Sequence, residues 1–168
     1  VSASQEVIEG RWDDQFVVDP FQAGAGTSHN MNINEVIANR ASQILGGAFG
    51  AYIVHPNDHV NMSQSTNDVY LTALRLALHM KLEALLSEMT ALQGLFAEKG
   101  AEFADVIKMG RTQLQDAVPM TLGQEFEAYA VMIGEDIQRV AEAQSLIREI
   151  NLGATAIGTG LNAHPDYS

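Results

Sequence analysis

The sequence predicts a mainly α-helical fold built as a bundle of long helices. Three observations predict it. Apolar residues recur at spacings of three and four through three separate stretches. Residues that favour helix starts stand at the head of each stretch, and glycines follow it. Strand patterning is confined to one short run, Gln15 to Val18.

Composition sets the outer limits. The chain has 168 residues, 46% hydrophobic and 18% charged, enough for one domain with a sizeable core and too apolar for intrinsic disorder. A formal net charge of -12 argues against non-specific nucleic-acid binding, which needs Lys and Arg on phosphates. There are no cysteines, which removes disulfides and thiolate metal sites and suits a reducing, cytoplasmic setting. No apolar run reaches membrane-spanning length, so no membrane partner is expected. Val1 opens neither a signal peptide nor a transit peptide, and a first residue other than Met reads as a processed or cut start.

Residues 1–27 read as irregular, with Gln15–Val18 as a possible strand closed by Asp19-Pro20. The first helix carries its apolar stripe on Ile33, Val36, Ile37, Ala41, Ile44 and Leu45, capped by Asn30 or Asn32 and stopped by Gly46-Gly47. A polar, turn-rich loop follows to about Thr66. The second helix is the longest. Its seam is Leu71, Leu74, Leu78, Leu82, Leu85, Met89, Leu92 and Phe96, a heptad pattern with one stutter between Leu74 and Leu82. Asn67 or Asp68 supplies its cap, and Gly100 marks its end. The third helix begins near Pro119 with a capping box at Thr121 and Gln124, and its seam runs from Leu122 to Ile150. Gly134 inside it points to close helix packing. A Gly-rich turn follows from Gly153 to Gly160.

Helices of this size are about 45 Å long, and two such rods cannot cover each other's seams. Leu76, Met80, Leu86 and Leu95 fall off the main stripe, so the second helix is apolar on more than one face. The expectation is a multi-helix bundle completed by other subunits or by further chain.

Three polar clusters stand out from this scaffold. They are Gly24-Ala25-Gly26-Thr27-Ser28, Ser65-Thr66-Asn67, and Gly110-Arg111-Thr112-Gln113. The first two precede long amphipathic runs, where free backbone N–H groups and small donors can hold carboxylates. Each also reads as ordinary capping, although three successive donors at Ser65–Asn67 exceed what one cap requires. Arg111 and Asp116 read equally as a structural ion pair. His55 and His59 flank Asn57 and Asp58 in a loop context and lack a third metal ligand, so no metal site is assigned. His29 is a possible proton carrier. No nucleophile–base pair is visible; the chain offers oxyanion donors without a base.

At these residues the chain resembles the aspartase/fumarase superfamily. Gln22 to Leu45, with Asn34-Glu35-Val36-Ile37-Ala38-Asn39 inside it, is similar to the family's first conserved block. His55 to Asp68, Gly110 to Phe126 and Asn151 to Asn162 resemble the next three. Gln113 follows Thr112 where fumarases usually carry His, and Asn151–Gly158 looks aspartase-like. His55-Pro56-Asn57-Asp58 matches a secondary dicarboxylate site of fumarases. The family's mobile Gly-Ser-Ser-x-Met-Pro-x-Lys-x-Asn loop, which carries its catalytic Ser base and a carboxylate-binding Lys, is not in this sequence.

The resemblance implies a long-helix bundle of the aspartase/fumarase type, with residues 1–62 as part of an N-terminal domain and 63–168 as part of a central helical domain. It implies reversible anti-elimination of ammonia from L-aspartate to give fumarate through an enediolate. Hydration of fumarate to L-malate is the alternative, and a non-catalytic helical oligomerisation scaffold the second. By resemblance Thr27, Ser65 and Thr66 are catalytic, holding the enediolate. Ser28, Asn67, Thr112 and Gln113 join them in binding substrate, Thr112 and Gln113 from a neighbouring subunit. His55, Asn57 and Asp58 form the possible secondary site. The partners implied are a small dicarboxylate and further copies of the chain in a homotetramer. No organic cofactor is required, and some relatives are activated by divalent metal. The chain reads as an internal portion that is inactive alone.

Overall fold

A computed structural model describes residues 1–21 and 25–167. The chain divides into two compact units, Val1–Arg75 with Ile150–Ser168, and Leu76–Glu149. It is mainly helical, as its periodicity predicts.

In the first unit α1 spans Ser2–Ile8, followed by a single 3-10 turn at Asp13–Gln15. Both correct the expectation of an irregular start with a strand at Gln15–Val18. The pattern at Gln15–Val18 is too short to alternate, and the segment before it is held to α2 by side-chain pairing. Arg40 donates to Glu6 through Nε at 2.6 Å and Nη2 at 2.9 Å, and the Trp12 indole donates to the same carboxylate at 3.0 Å. The Arg40 guanidinium also lies 5.4 Å from the Trp12 ring centroid. These hydrogen bonds, with the guanidinium charge, hold Glu6 at about 2, well below its ordinary 4.5.

Helix α2 spans Thr27–Ile44 and so begins before either expected asparagine cap. Gly26 stands at its N-cap with φ +82°, and a Cβ there would lie 2.3 Å from the Tyr70 ring. Only glycine meets both demands. The expected glycine stop is present. Gly46 has φ +86°, with Gly47 N–H on the Ser42 carbonyl at 2.9 Å and Gly46 N–H on that of Gln43 at 2.9 Å, a Schellman closure.

The buried face of α2 is Asn30, Asn34, Ala38 and Ser42, whereas Ile33, Ile44 and Leu45 are exposed. Val36, Ile37 and Ala41 of the expected stripe are half-buried, so the covered side of the helix combines part of that stripe with a row the apolar pattern did not indicate. The reason is chemical: the polar row receives irregular backbone, which needs hydrogen bonds as well as contact. Ser42 Oγ accepts from Val54 N–H at 3.0 Å, and Asn39 Oδ1 from Gly50 N–H at 3.0 Å. The stretch read as a loop contains a five-residue π-helical turn at Pro56–Val60. A second such turn, Thr66–Tyr70, leads into α3, Leu71–Glu102. The N-cap of this turn is Ser65, with Asp68 as its capping-box partner and not the cap itself, and α3 runs two residues past Gly100.

The second unit holds the rest of α3, a β-hairpin and α4. Strand β1 (Ile107–Thr112) pairs antiparallel with β2 (Gln115–Thr121), from Ile107 opposite Thr121 to Thr112 opposite Gln115. Sequence reading missed this hairpin because its two-residue turn is Gln113-Leu114, both at positive φ (48° and 60°), where Asn-Gly is the usual signal. Pro119 therefore lies in β2. Helix α4 spans Leu122–Leu146, ending before Ile150, and opens with the expected box. Thr121 Oγ1 accepts from Gln124 N–H at 3.1 Å, and Gln124 Oε1 from Thr121 N–H at 3.0 Å.

Close approach replaces bulk along this pair of helices. A Cβ at Gly123 would meet the Gly100 carbonyl at 2.5 Å, and one at Gly134 would meet Gln93 Nε2 at 2.4 Å. Phe96, Phe103, Phe126 and Tyr129 cluster with centroids 5.6–6.1 Å apart. Leu76, Leu78, Met80, Leu85, Leu95, Val131 and Met132 stay exposed. The helices thus carry more apolar surface than this chain covers.

Candidate active site

The Ser65–Asn67 cluster sits at the entry to the longest helix, where backbone N–H groups and the helix dipole favour negative charge. Ser65 Oγ accepts from Asn67 N–H at 3.2 Å. Asp68, with no exposed surface, accepts from Ser65 N–H at 2.9 Å through one oxygen and from Thr155 N–H at 2.8 Å through the other. Asn67 Nδ2 donates to the Ala156 carbonyl at 2.7 Å, and Asn151 Nδ2 to the Asn67 carbonyl at 3.1 Å. The Gly-rich turn after α4 is thereby tied to the head of α3.

A cleft of about 320 Å³ opens between these segments. Ser63, Gln64, Ser65 and Thr66 line one side, Thr155, Ala156 and Asn162 another, and Asn30, Met31 and Asn61 the remainder. No charged side chain is among them. Asn61 Oδ1 accepts from both Asn30 Nδ2, at 3.2 Å, and Asn34 Nδ2, at 3.0 Å. The buried polar row of α2 thus fixes one wall. Such a cleft, lined by hydroxyls and amides beside a helix start, can receive a carboxylate through neutral hydrogen bonds.

The proposed site residues fall in different places. Ser65 and Thr66 line the cleft. Asn67 adjoins it, with its amide nitrogen engaged on Ala156. Thr27 lies in the first turn of α2 and Ser28 beside a shallow pocket with Val18, Met31, Asn32 and Glu35; neither lines the cleft. Gly24 falls outside the described residues. The start of α2 nevertheless meets the turn after Thr66, through Gly26 against the Tyr70 ring and His29 Nδ1 2.9 Å from the Tyr70 hydroxyl. Thr112 and Gln113 belong to the second unit, at the hairpin tip. Beside them Arg111 and Asp116 form the exposed pair that the sequence suggested, 3.2 Å apart.

His55, Asn57 and Asp58 form a self-closed turn. His55 Nδ1 accepts from Asp58 N–H at 3.2 Å, and His55 N–H donates to His59 Nδ1 at 2.8 Å. The Asp58 carboxylate lies 3.2 Å from the same His55 Nδ1, so the turn closes on itself through both groups of Asp58. Both Nδ1 atoms are occupied by backbone, and among the described residues no three His, Cys, Asp or Glu converge as metal ligands.

Sequence reading missed Asn30, Asn61, Gln64, Thr155, Asn162 and Asp68. One signal was present. Asn30 and Asn34 stand four apart on the face continued by Ala38 and Ser42, a row of small residues, three of them polar, that a solvent-facing reading does not explain.

A family model described as lyase matches residues 1–168. The chain belongs to this lyase family. An aspartate ammonia-lyase of Helicobacter pylori is 61% identical over 162 residues, which is 96% of this chain and 35% of that protein. The crystal structure of a fumarate lyase:delta crystallin from Brucella melitensis bound to cobalt matches at TM-score 0.88 and 59% identity, over 99% of this chain and 36% of that one. A class II fumarase from Schistosoma mansoni matches equally in fold, TM-score 0.88, at 40% identity over 99% of this chain and 35% of that one. The chain spans about a third of the length of these relatives. Fold therefore groups the two activities together, and the fumarase is the less similar of the three in sequence.

Proposed function

We propose that this chain is part of an aspartate ammonia-lyase, which converts L-aspartate reversibly to fumarate and ammonium. The observation that carries the reading is the uncharged donor cleft at the head of α3, with Ser65 and Thr66 on its wall. The 61% identity to an aspartate ammonia-lyase supports the choice of substrate.

In this reading a base removes the proton from the carbon beside the side-chain carboxylate. The electron pair moves onto that carboxylate, making a doubly charged enediolate, and returns to form the double bond as the neighbouring C–N bond breaks. The protonated amine leaves as ammonia with the C–N bonding pair and then takes up a proton to become ammonium. Ser65 and Thr66, with Thr27 from the start of α2, stabilise the enediolate by hydrogen bonds aimed at developing charge. Ser28 and Asn67 orient the substrate, Asn67 at the leaving ammonium, and Thr112 and Gln113 come from a neighbouring subunit of a homotetramer. The carboxylate is itself the electron sink, so no organic cofactor is required. The assembled subunit divides near residue 62 into an N-terminal and a central helical domain.

A second reading is a fumarase, with water leaving in place of ammonia. It is favoured by His55-Pro56-Asn57-Asp58, which resembles a fumarase secondary site, and by the fumarase-like fold. The deciding experiment gives L-aspartate and L-malate in turn to a full-length subunit containing this chain and follows the ultraviolet absorbance of fumarate. Production from aspartate supports the proposal; production from malate alone selects the fumarase; neither leaves a non-catalytic scaffold.

A further inference from the structure

We propose that Asp68 is a positioning residue whose buried carboxylate clamps together the two chain segments that line the donor cleft, and so sets the placement of the Ser65 and Thr66 donors. This rests on the reading of that cleft as the lyase site.

Capping a turn needs one carboxylate oxygen. Asp68 uses one on Ser65 N–H at 2.9 Å, and spends the other on Thr155 N–H at 2.8 Å, 87 residues away in sequence. Ser65 and Thr155 belong to two separate chain segments that line the same cleft. Thr155 has φ 59°, a conformation that a β-branched residue adopts only when its surroundings impose it. Other bonds join the same segments: Asn67 to Ala156, Asn151 to Asn67, and His164 N–H to Ser63 Oγ at 3.2 Å. Those three join neutral groups and are exposed. The Asp68 bonds use a carboxylate acceptor on a residue with no exposed surface and are themselves part-buried, which makes them stronger ties between the two segments than the exposed neutral bonds. Asparagine has the same size but only one acceptor oxygen. Its NH₂ must face a backbone N–H on one side, so Asp68→Asn keeps one wall and releases the other.

Donors that act on transition-state charge affect turnover more than substrate binding. The test uses Asp68→Asn in a full-length subunit containing this chain, with kcat and KM for L-aspartate measured beside melting temperature and sedimentation. The expected result is a kcat lower by about 10²-fold, a smaller change in KM, and an assembled, folded protein. A folded Asp68→Asn protein with kcat close to that of the unsubstituted enzyme overturns the inference. Thr66→Ala is measured in parallel. If it too retains full turnover, the reading of the cleft itself fails; if it is impaired while Asp68→Asn is not, only the clamp fails. Should Asp68→Asn not fold, hydrogen exchange on the unsubstituted enzyme decides. Fumarate should protect residues 63–68 and 151–158 along one titration curve, and protection of a single segment refutes coupling between the walls.

Discussion

Thr66 reaches the cleft from the first turn leading into a 32-residue helix, so its hydroxyl acts beside backbone donors already oriented by that helix. Thr66→Ala in a full-length subunit should lower kcat by about 10²-fold with an unchanged melting temperature. Steady-state kinetics beside thermal melts check both halves. Glu6 makes a separate prediction. Its carboxylate titrates at about 2 when folded against an ordinary 4.5, because Arg40 and Trp12 donate to it. A depressed carboxylate contributes stability that is full above 4.5 and is lost as pH falls toward 2. Glu6→Gln should therefore melt lower than the parent at neutral pH, with the gap closing across that acid window. At this scale the sequence disclosed donor types but not partners. Ser65-Thr66-Asn67 was visible as a cluster, whereas Asp68 read as an alternative cap because its second contact, Thr155, is 87 residues away.

Helices α3 and α4 followed from their seams, since a long 3.6-residue period has few other solutions. The hairpin did not, because Gln113 and Leu114 hold positive φ without glycine or asparagine to announce it. Helix α2 was legible as a helix, but its fully buried row was not. Its apolar stripe is half-buried at Val36, Ile37 and Ala41 and exposed at Ile33, Ile44 and Leu45, whereas Asn30, Asn34, Ala38 and Ser42 are buried. The start of α2 is tightly constrained. Gly26→Ala adds a Cβ 2.3 Å from the Tyr70 ring at φ +82°. The substitution should cost about 1–3 kcal/mol, by strain and overpacking together. Denaturant unfolding measures it, and Ala at Gly46, where a Cβ meets nothing within 4 Å, isolates the contribution of positive φ alone.

The whole molecule is defined by surface it does not cover. Leu76, Met80 and Leu95 on α3 and Met132 on α4 remain exposed. An apolar excess of this kind calls for cover, and the rest of the subunit together with the homotetramer we propose would bury it. Sedimentation of a full-length subunit should give a tetramer, and charged residues at Met80 and Leu95 should shift it to smaller species with loss of activity. The resemblance that pointed to the lyase family rested on four blocks spread over nearly the whole chain, and the family match covers residues 1–168. Substrate was less legible than family, because fold is shared with a fumarase at TM-score 0.88. The most direct measurement is fumarate formation by a full-length subunit offered L-aspartate or L-malate under identical conditions. The proposed function predicts rapid release of fumarate from aspartate and little from malate; fumarate from malate with none from aspartate would contradict it.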